Sequence, residues 1–203
     1  MVDPAMPGAV LLEKVAAALE GGVRVLQIWN NWPLAFTQAD KQALMADLVA
    51  LASGYAVPVL VNEEWQLLKN TALAGVHFDA IPPDFEKIKA ELGSAVIYGI
   101  TCGNNLEVIR WASKHQLDYV SFCAVFPSAS AGACKLVRPE TIRQARQITA
   151  MPFFLSGGIT TENLITLKGL DFDGVAVISG ILSAPSARDS ASAYQQALNK
   201  NHI

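Results

Sequence analysis

The chain has 203 residues, a net charge of −3, 52% apolar and only 16% charged residues. That length suits one domain spanning 1–203 with a sizeable core, and so apolar a chain fits a sheet buried on both faces. The charge gives no reason to expect nucleic acid or an acidic membrane as a partner. No apolar stretch nears the roughly 18 residues of a membrane span and no secretory leader is legible, so the expected location is cytoplasmic.

The opening Met1-Val2-Asp3-Pro4 reads as the tail of a strand, and a helical pattern covers 10–20. From there short apolar runs alternate with amphipathic stretches. A strand at 23–28 precedes a helix at 38–53, and a strand at 57–61 precedes a helix at 65–74. The strands at 75–78 and 95–99 are followed by helices at 84–92 and 106–116, and the strand at 119–122 by a helix at 139–149. The last pairs are 152–155 with 161–167 and 175–178 with 186–200. Asn105 ahead of Leu106 and Glu107, and Pro139-Glu140, are helix-start signals. This order predicts right-handed βαβ units, a parallel sheet, and an α/β TIM (βα)8 barrel. Seven strands are clear where a closed barrel needs eight, which predicts a truncated first strand at 2–4. A disordered N-terminus is the alternative.

Two of these strands end in unusual corners. Phe154-Leu155-Ser156-Gly157-Gly158-Ile159 and Val175-Ala176-Val177-Ile178-Ser179-Gly180 are apolar runs that stop at small residues before a helical stretch. Uncovered backbone N–H groups and a helix N-terminus both favour a dianion, so Gly157, Gly158, Ile178 and Ser179 are the predicted phosphate site. The plainer reading is that the glycines only permit tight turns. Cys102, Cys123 and Cys134 are odd in number and lack CxxC spacing, which argues against a disulfide framework. A soft-metal site with His77 is weaker still than buried thiols.

The motif order resembles the thiamine phosphate synthase/TenI family of small TIM barrels, from Leu11 to Leu198. The pieces that carry it are Ala18-Leu19-Glu20-Gly21-Gly22-Val23 with Val25-Leu26-Gln27, Val57-Pro58-Val59-Leu60-Val61-Asn62, and Ala74-Gly75-Val76-His77. Tyr98-Gly99-Ile100-Thr101, Asp118-Tyr119-Val120-Ser121-Phe122 with Val125-Phe126-Pro127-Ser128, and the two corners complete it. The resemblance implies a synthase of thiamine biosynthesis. It would join a pyrimidine carried on pyrophosphate to a thiazole carried on phosphate, with Mg²⁺ neutralising the leaving group. Its small phosphorylated heterocycles are the expected partners, and a homo-oligomeric state stays open.

The resemblance implies Gln27, Asn62, Thr101, Ser128 and Ser130 as substrate-binding residues and Glu63 as the Mg²⁺ carboxylate, and assigns no catalytic residue; Trp29 joins the substrate-binding set as an aromatic surface. Where the family writes Gln-x-Arg-x-Lys, this chain has Gln27-Ile28-Trp29-Asn30-Asn31, without either cation. Asn62-Glu63 replaces an Asn-Asp pair, Asp79 follows His77 out of clear register, and Ala131 stands where a Lys belongs. Lys135 and Arg138 are the nearby replacements. The TenI branch isomerises a thiazole carboxylate with a His, whose place is taken by Ala124 beside Cys123. Trp29 and Trp32 read either as an aromatic pocket for a flat heterocycle or as a loop packed on itself. Two other functions therefore stand beside the synthase: a non-catalytic phosphate-ligand binder or regulator, and an isomerase of a phosphorylated heterocycle.

Overall fold

The computed structural model describes residues 1–128 and 135–201, the side chain of residue 201 excepted. In chain order these form α1 (Gly8–Glu20), β1 (Leu26–Ile28), α2 (Gln38–Ser53), β2 (Val59–Asn62), β3 (Gly75–Phe78) and α3 (Phe85–Leu92). Next come β4 (Ile97–Thr101), α4 (Leu106–Lys114), β5 (Tyr119–Cys123), α5 (Pro139–Arg146) and β6 (Phe153–Ser156). The last are β7 (Gly174–Ala176), α6 (Ser179–Leu182) and α7 (Ala187–Asn201). Parallel strands alternating with helices make this a TIM-barrel-like α/β fold.

Two compact units are distinguishable. The first holds Met1–His77, Asp84–Ile97 and Ile178–Gln195; the second holds the described residues of Phe78–Pro83, Tyr98–Val177 and Gln196–Ile203. In the first, β1 pairs with β2 from Leu26 opposite Val59, and β2 with β3 from Leu60 opposite Gly75 to Asn62 opposite His77. Val2 adds a single parallel bridge to Ile28, with its N–H donated to Gln27 O at 2.7 Å and its carbonyl accepting from Trp29 N at 2.9 Å. The expected weak first stave is this bridge. Leu11, Val15, Ala18 and Leu19 of α1 and Leu44, Met45, Leu48 and Ala52 of α2 are buried, one apolar face per helix. Thr37 and Asp40 form a capping box that fixes where α2 begins: Thr37 Oγ1 accepts from Asp40 N at 3.2 Å, and Thr37 N donates to Asp40 Oδ2 at 2.8 Å.

In the second unit β4 to β7 run side by side, with Thr101 opposite Ser121, Cys123 opposite Ser156 and Ser156 opposite Ala176. Its core includes edge-on pairs of Tyr119 with Phe154 and Phe122 with Phe153, at 5.3 and 5.2 Å between ring centres. Aspartates preceding two strands tie them in: Asp118 Oδ2 accepts from Tyr98 N at 2.7 Å and Asp173 Oδ2 from Phe153 N at 2.8 Å. Asn104 holds the far side of the loop after β5, donating to Leu136 O at 2.8 Å and accepting from Arg138 N at 2.9 Å and Thr141 Oγ1 at 3.1 Å.

Two predicted strand starts move for one physical reason, which also ends α4. Val23, Val57 and Leu117 donate their N–H groups back to Ala18, Ala52 and Ala112 O, at 3.2, 3.1 and 3.0 Å. Each follows a residue with positive φ, namely Gly22, Ala56 and Gln116. These are C-terminal helix caps, so Val23 and Val57, expected to open strands, instead close helices, and Leu117 closes α4 ahead of β5, which begins at Tyr119 as expected. The expected helices at 65–74 and 161–167 are short 3₁₀ turns, Trp65–Asn70 and Leu164–Leu167. Thr71 Oγ1 stops the first by donating to Leu67 O at 2.8 Å. Ahead of the second, Thr160 and Asn163 cap one another, which uses up the residues expected to form its first turn.

Candidate functional site

In the first unit the C-terminal ends of β2 and β3 carry a polar cluster next to the end of β1. Asn62 is 2% and His77 3% exposed. Register places them side by side, and Asn62 Nδ2 donates to His77 O at 3.1 Å. The same carbonyl accepts from Glu63 N at 2.8 Å. Asn62 Oδ1 faces the next strand end, 3.4 Å from Asn30 N. The predicted ring-reading amide is therefore held through its nitrogen by backbone. Burial keeps the His77 imidazole neutral, lowering its pKa from the usual 6.5 to about 4.

Glu63 has φ +66, a left-handed conformation. Among the described residues Ala56 and Gln116 are the other non-glycine residues with positive φ, and both lie at helix C-termini, whereas Glu63 directly follows β2. Trp65 N to Glu63 O at 2.6 Å and Glu64 N to Asn62 O at 2.9 Å tighten the turn further. A carboxylate held in a costly backbone conformation at a strand's C-terminal end is the kind of strain found at ligand sites. Among the described residues no three His, Cys, Asp or Glu side chains come together to cage a metal ion.

The segment after β1 folds over this end. Gln27 and Trp29 are half-buried, Trp29 O accepts from Asn31 N at 2.8 Å, and Asn31 Nδ2 donates to Asp3 Oδ1 at 2.9 Å. Trp32 lies against Phe36, with ring centres 6.0 Å apart, and the Lys41 ammonium sits 4.9 Å from the Trp32 ring centre. Lys41 also pairs with Glu64. The loop is thus packed partly by its own aromatics, and the place read from sequence as neutral carries a cation delivered from α2. Sequence reasoning missed Lys41 and Glu64. They are 23 positions apart, and the capping box at Thr37 was the only local hint of where Lys41 would fall.

In the second unit Thr101 ends β4 half-buried and Ser128 is half-buried beyond β5; Ser130, Ala131 and Cys134 lie outside the described residues. The corner after β6 is locked to the end of β5. Val125 N donates to Ser156 O at 2.9 Å and Phe126 N to Gly157 O at 3.1 Å. Gly157 and Gly158 have φ +87 and +65. A Cβ on Gly157 would lie 2.5 Å from Ala124 Cβ, and one on Gly158 2.5 Å from Pro127 O. No other residue fits either place without displacing its neighbour. Asn163 Nδ2 braces the turn, donating to Gly158 O at 2.8 Å.

Ile178 caps α6, a helix of four residues opened by the exposed Ser179, whose first N–H groups have no partner within the helix. Lys135 and Arg138, the replacement cations read from sequence, are exposed. Ala124, at the TenI His position, is 1% exposed and offers only a methyl group. The Cys102 thiol donates to Ser121 O at 3.1 Å, and burial pushes its pKa up to about 12. Cys123 is half-buried at the end of β5.

Comparison with known proteins follows the same lines. Residues 1–181 match the family model described as thiamine monophosphate synthase, TMP-TENI. A thiamine-phosphate synthase of Geobacillus kaustophilus is 32% identical over 194 residues, covering 95% of this chain and 86% of that protein. Another, of Thiobacillus denitrificans, is 30% identical over 181 residues, covering 89% and 84%. A solved thiamine phosphate pyrophosphorylase from Pyrococcus furiosus shares the fold, with a TM-score of 0.81 at 22% identity over 94% of this chain and 90% of that one. With the model match spanning most of its length and relatives at this level of identity, the chain belongs to the thiamine monophosphate synthase (TMP-TENI) family.

Proposed function

We propose that this protein is a transferase of thiamine biosynthesis, one domain over 1–203, that couples a pyrimidine pyrophosphate to a thiazole phosphate. Its relatives at about 30% identity carry the name of that synthase. The observation that carries the reading is Glu63, a carboxylate held at φ +66 on the strand end next to the buried Asn62. In this reaction the pyrimidine C–O bond breaks with its electron pair leaving on pyrophosphate. The thiazole nitrogen lone pair then forms the new C–N bond. Charge builds on the departing oxygens, so the site must neutralise it.

Mg²⁺ is usually held by one or two carboxylates together with water and substrate phosphate oxygens. The donor set fits that pattern, with Glu63 as the protein ligand. Bound there, the ion would supply neutralisation of leaving-group charge. Gln27, Trp29, Asn62 and Thr101 are assigned to the pyrimidine half. Gly157 and Gly158 at the end of β6, Ile178 and Ser179 after β7, and the hydroxyls of Ser128 and Ser130 are assigned to phosphate oxygens. Small phosphorylated heterocycles are the partners, and among the described residues no helix is long and apolar enough to cross a membrane.

The test is direct. Purified protein given both phosphorylated halves and Mg²⁺ should form thiamine phosphate, and product at background level rules the synthase out. The absence of any cation in Gln27-Ile28-Trp29-Asn30-Asn31 favours a second reading, a phosphate-ligand binder or regulator without turnover. The buried methyl of Ala124 leaves the isomerase without its acid–base group.

A further inference from the structure

We propose that Lys41 is the cation that binds the diphosphate of the pyrimidine substrate, held in readiness by Glu64 and Trp32; this rests on the synthase reading above. The strand-end string that family members fill with Arg and Lys is uncharged here, so a diphosphate at the C-terminal end of β1 and β2 meets no cation from its own strand. Lys41 reaches that end from α2. Its side chain is 16% exposed, its ammonium lies 4.9 Å from the Trp32 ring centre, and its partner Glu64 directly follows Glu63. Phe36 packs against the same indole, so the ring that seats the ammonium is itself held.

An ordinary bridge between helix and strand would be closed, with its polar atoms satisfied. This one is not. Glu64 Oε2 and Trp32 Nε1 are both buried and neither has a hydrogen-bond partner. A buried donor left unmet is costly, and an anion's oxygen can meet the Trp32 N–H, whereas the Glu64 oxygen is an acceptor that only a donor such as the Lys41 ammonium can meet. Trp32 Nε1–H and the ammonium are two donors beside one another, suited to the oxygens of one anion. Glu64 contacts Lys41 through a single oxygen, which lets the ammonium exchange one partner for another. The ligand class is an inorganic or organic diphosphate.

The experiment is calorimetric titration of the full chain with inorganic pyrophosphate, without Mg²⁺, beside turnover with both substrates. Lys41→Met should weaken pyrophosphate binding and lower kcat/KM roughly 10- to 100-fold, the range for a lost hydrogen bond to a charged group. Lys41→Arg should restore most of it, and binding of thiazole phosphate should stay unchanged in both variants. Glu64→Gln removes the competitor for Lys41 and should tighten pyrophosphate several-fold, whereas a purely structural ion pair would weaken it. If the native protein binds pyrophosphate and Lys41→Met binds it equally well, Lys41 is not the cation and the synthase reading stands. If neither pyrophosphate binding nor product is seen in the native protein, both readings fall. Should Lys41→Met not fold, the sign of the Glu64→Gln change decides: tightening supports the assignment, weakening or no change overturns it.

Discussion

Buried among apolar strands, His77 is a residue whose chemistry can be read through stability. Its pKa falls from 6.5 to about 4 because burial penalises the imidazolium. Between those values the unfolded chain carries a proton on this residue that the folded chain does not, so stability falls as pH falls through that window. The loss at pH 4 relative to pH 7 is about 3 kcal/mol from this group. Urea unfolding at pH 7, 5.5 and 4.5 should show that slope in the native protein and a shallower one in His77→Gln; parallel slopes would contradict it. Gln27, Asn62 and Glu63 were named from sequence because the motifs that carry the resemblance lie in or directly after β1 and β2. Lys41 was not, because its place depends on a helix folding back over a loop and on a partner far along the chain.

Glycines show how far an element constrains its corners. Gly157 and Gly169 share φ +87, yet a Cβ on the first meets Ala124 Cβ at 2.5 Å while one on the second meets nothing within 4 Å. Gly169→Ala should therefore cost only the backbone term, about 1 kcal/mol. Gly157→Ala adds a clash in the join between the ends of β5 and β6, about 3 kcal/mol in all. Denaturant melts of the two variants measure the difference, and equal losses would show that the corner can relax. The glycine pair was conspicuous in sequence, but its contact with Ala124 was not, since those residues meet only once β5 and β6 are paired. The helix caps at Ala56 and Gln116 were likewise invisible, because neither is the glycine that usually marks such an end.

At the scale of the molecule, alternation of apolar runs with amphipathic stretches was enough to read the fold, because parallel βα repeats impose it on every segment. The weak first stave was legible too, as the bridge from Val2 to Ile28. Occupancy of the phosphate site should register on the whole chain. Thiazole phosphate at a hundred times its Kd adds about 2.7 kcal/mol to stability, a rise in Tm of roughly 5–10 °C for a chain of this size. A thermal melt checks it; no shift with thiazole phosphate or with inorganic phosphate would remove the phosphate assignment. The capping box at Thr37 has a consequence of its own. It sets the phase of α2, because Lys41 follows the cap within the first turns and each residue inserted or deleted between Thr37 and Lys41 would turn it by about 100° about the helix axis. Where the Lys41 stem points is thus governed by its spacing from a threonine that need never touch a substrate, while changes beyond Gly54 leave that angle alone.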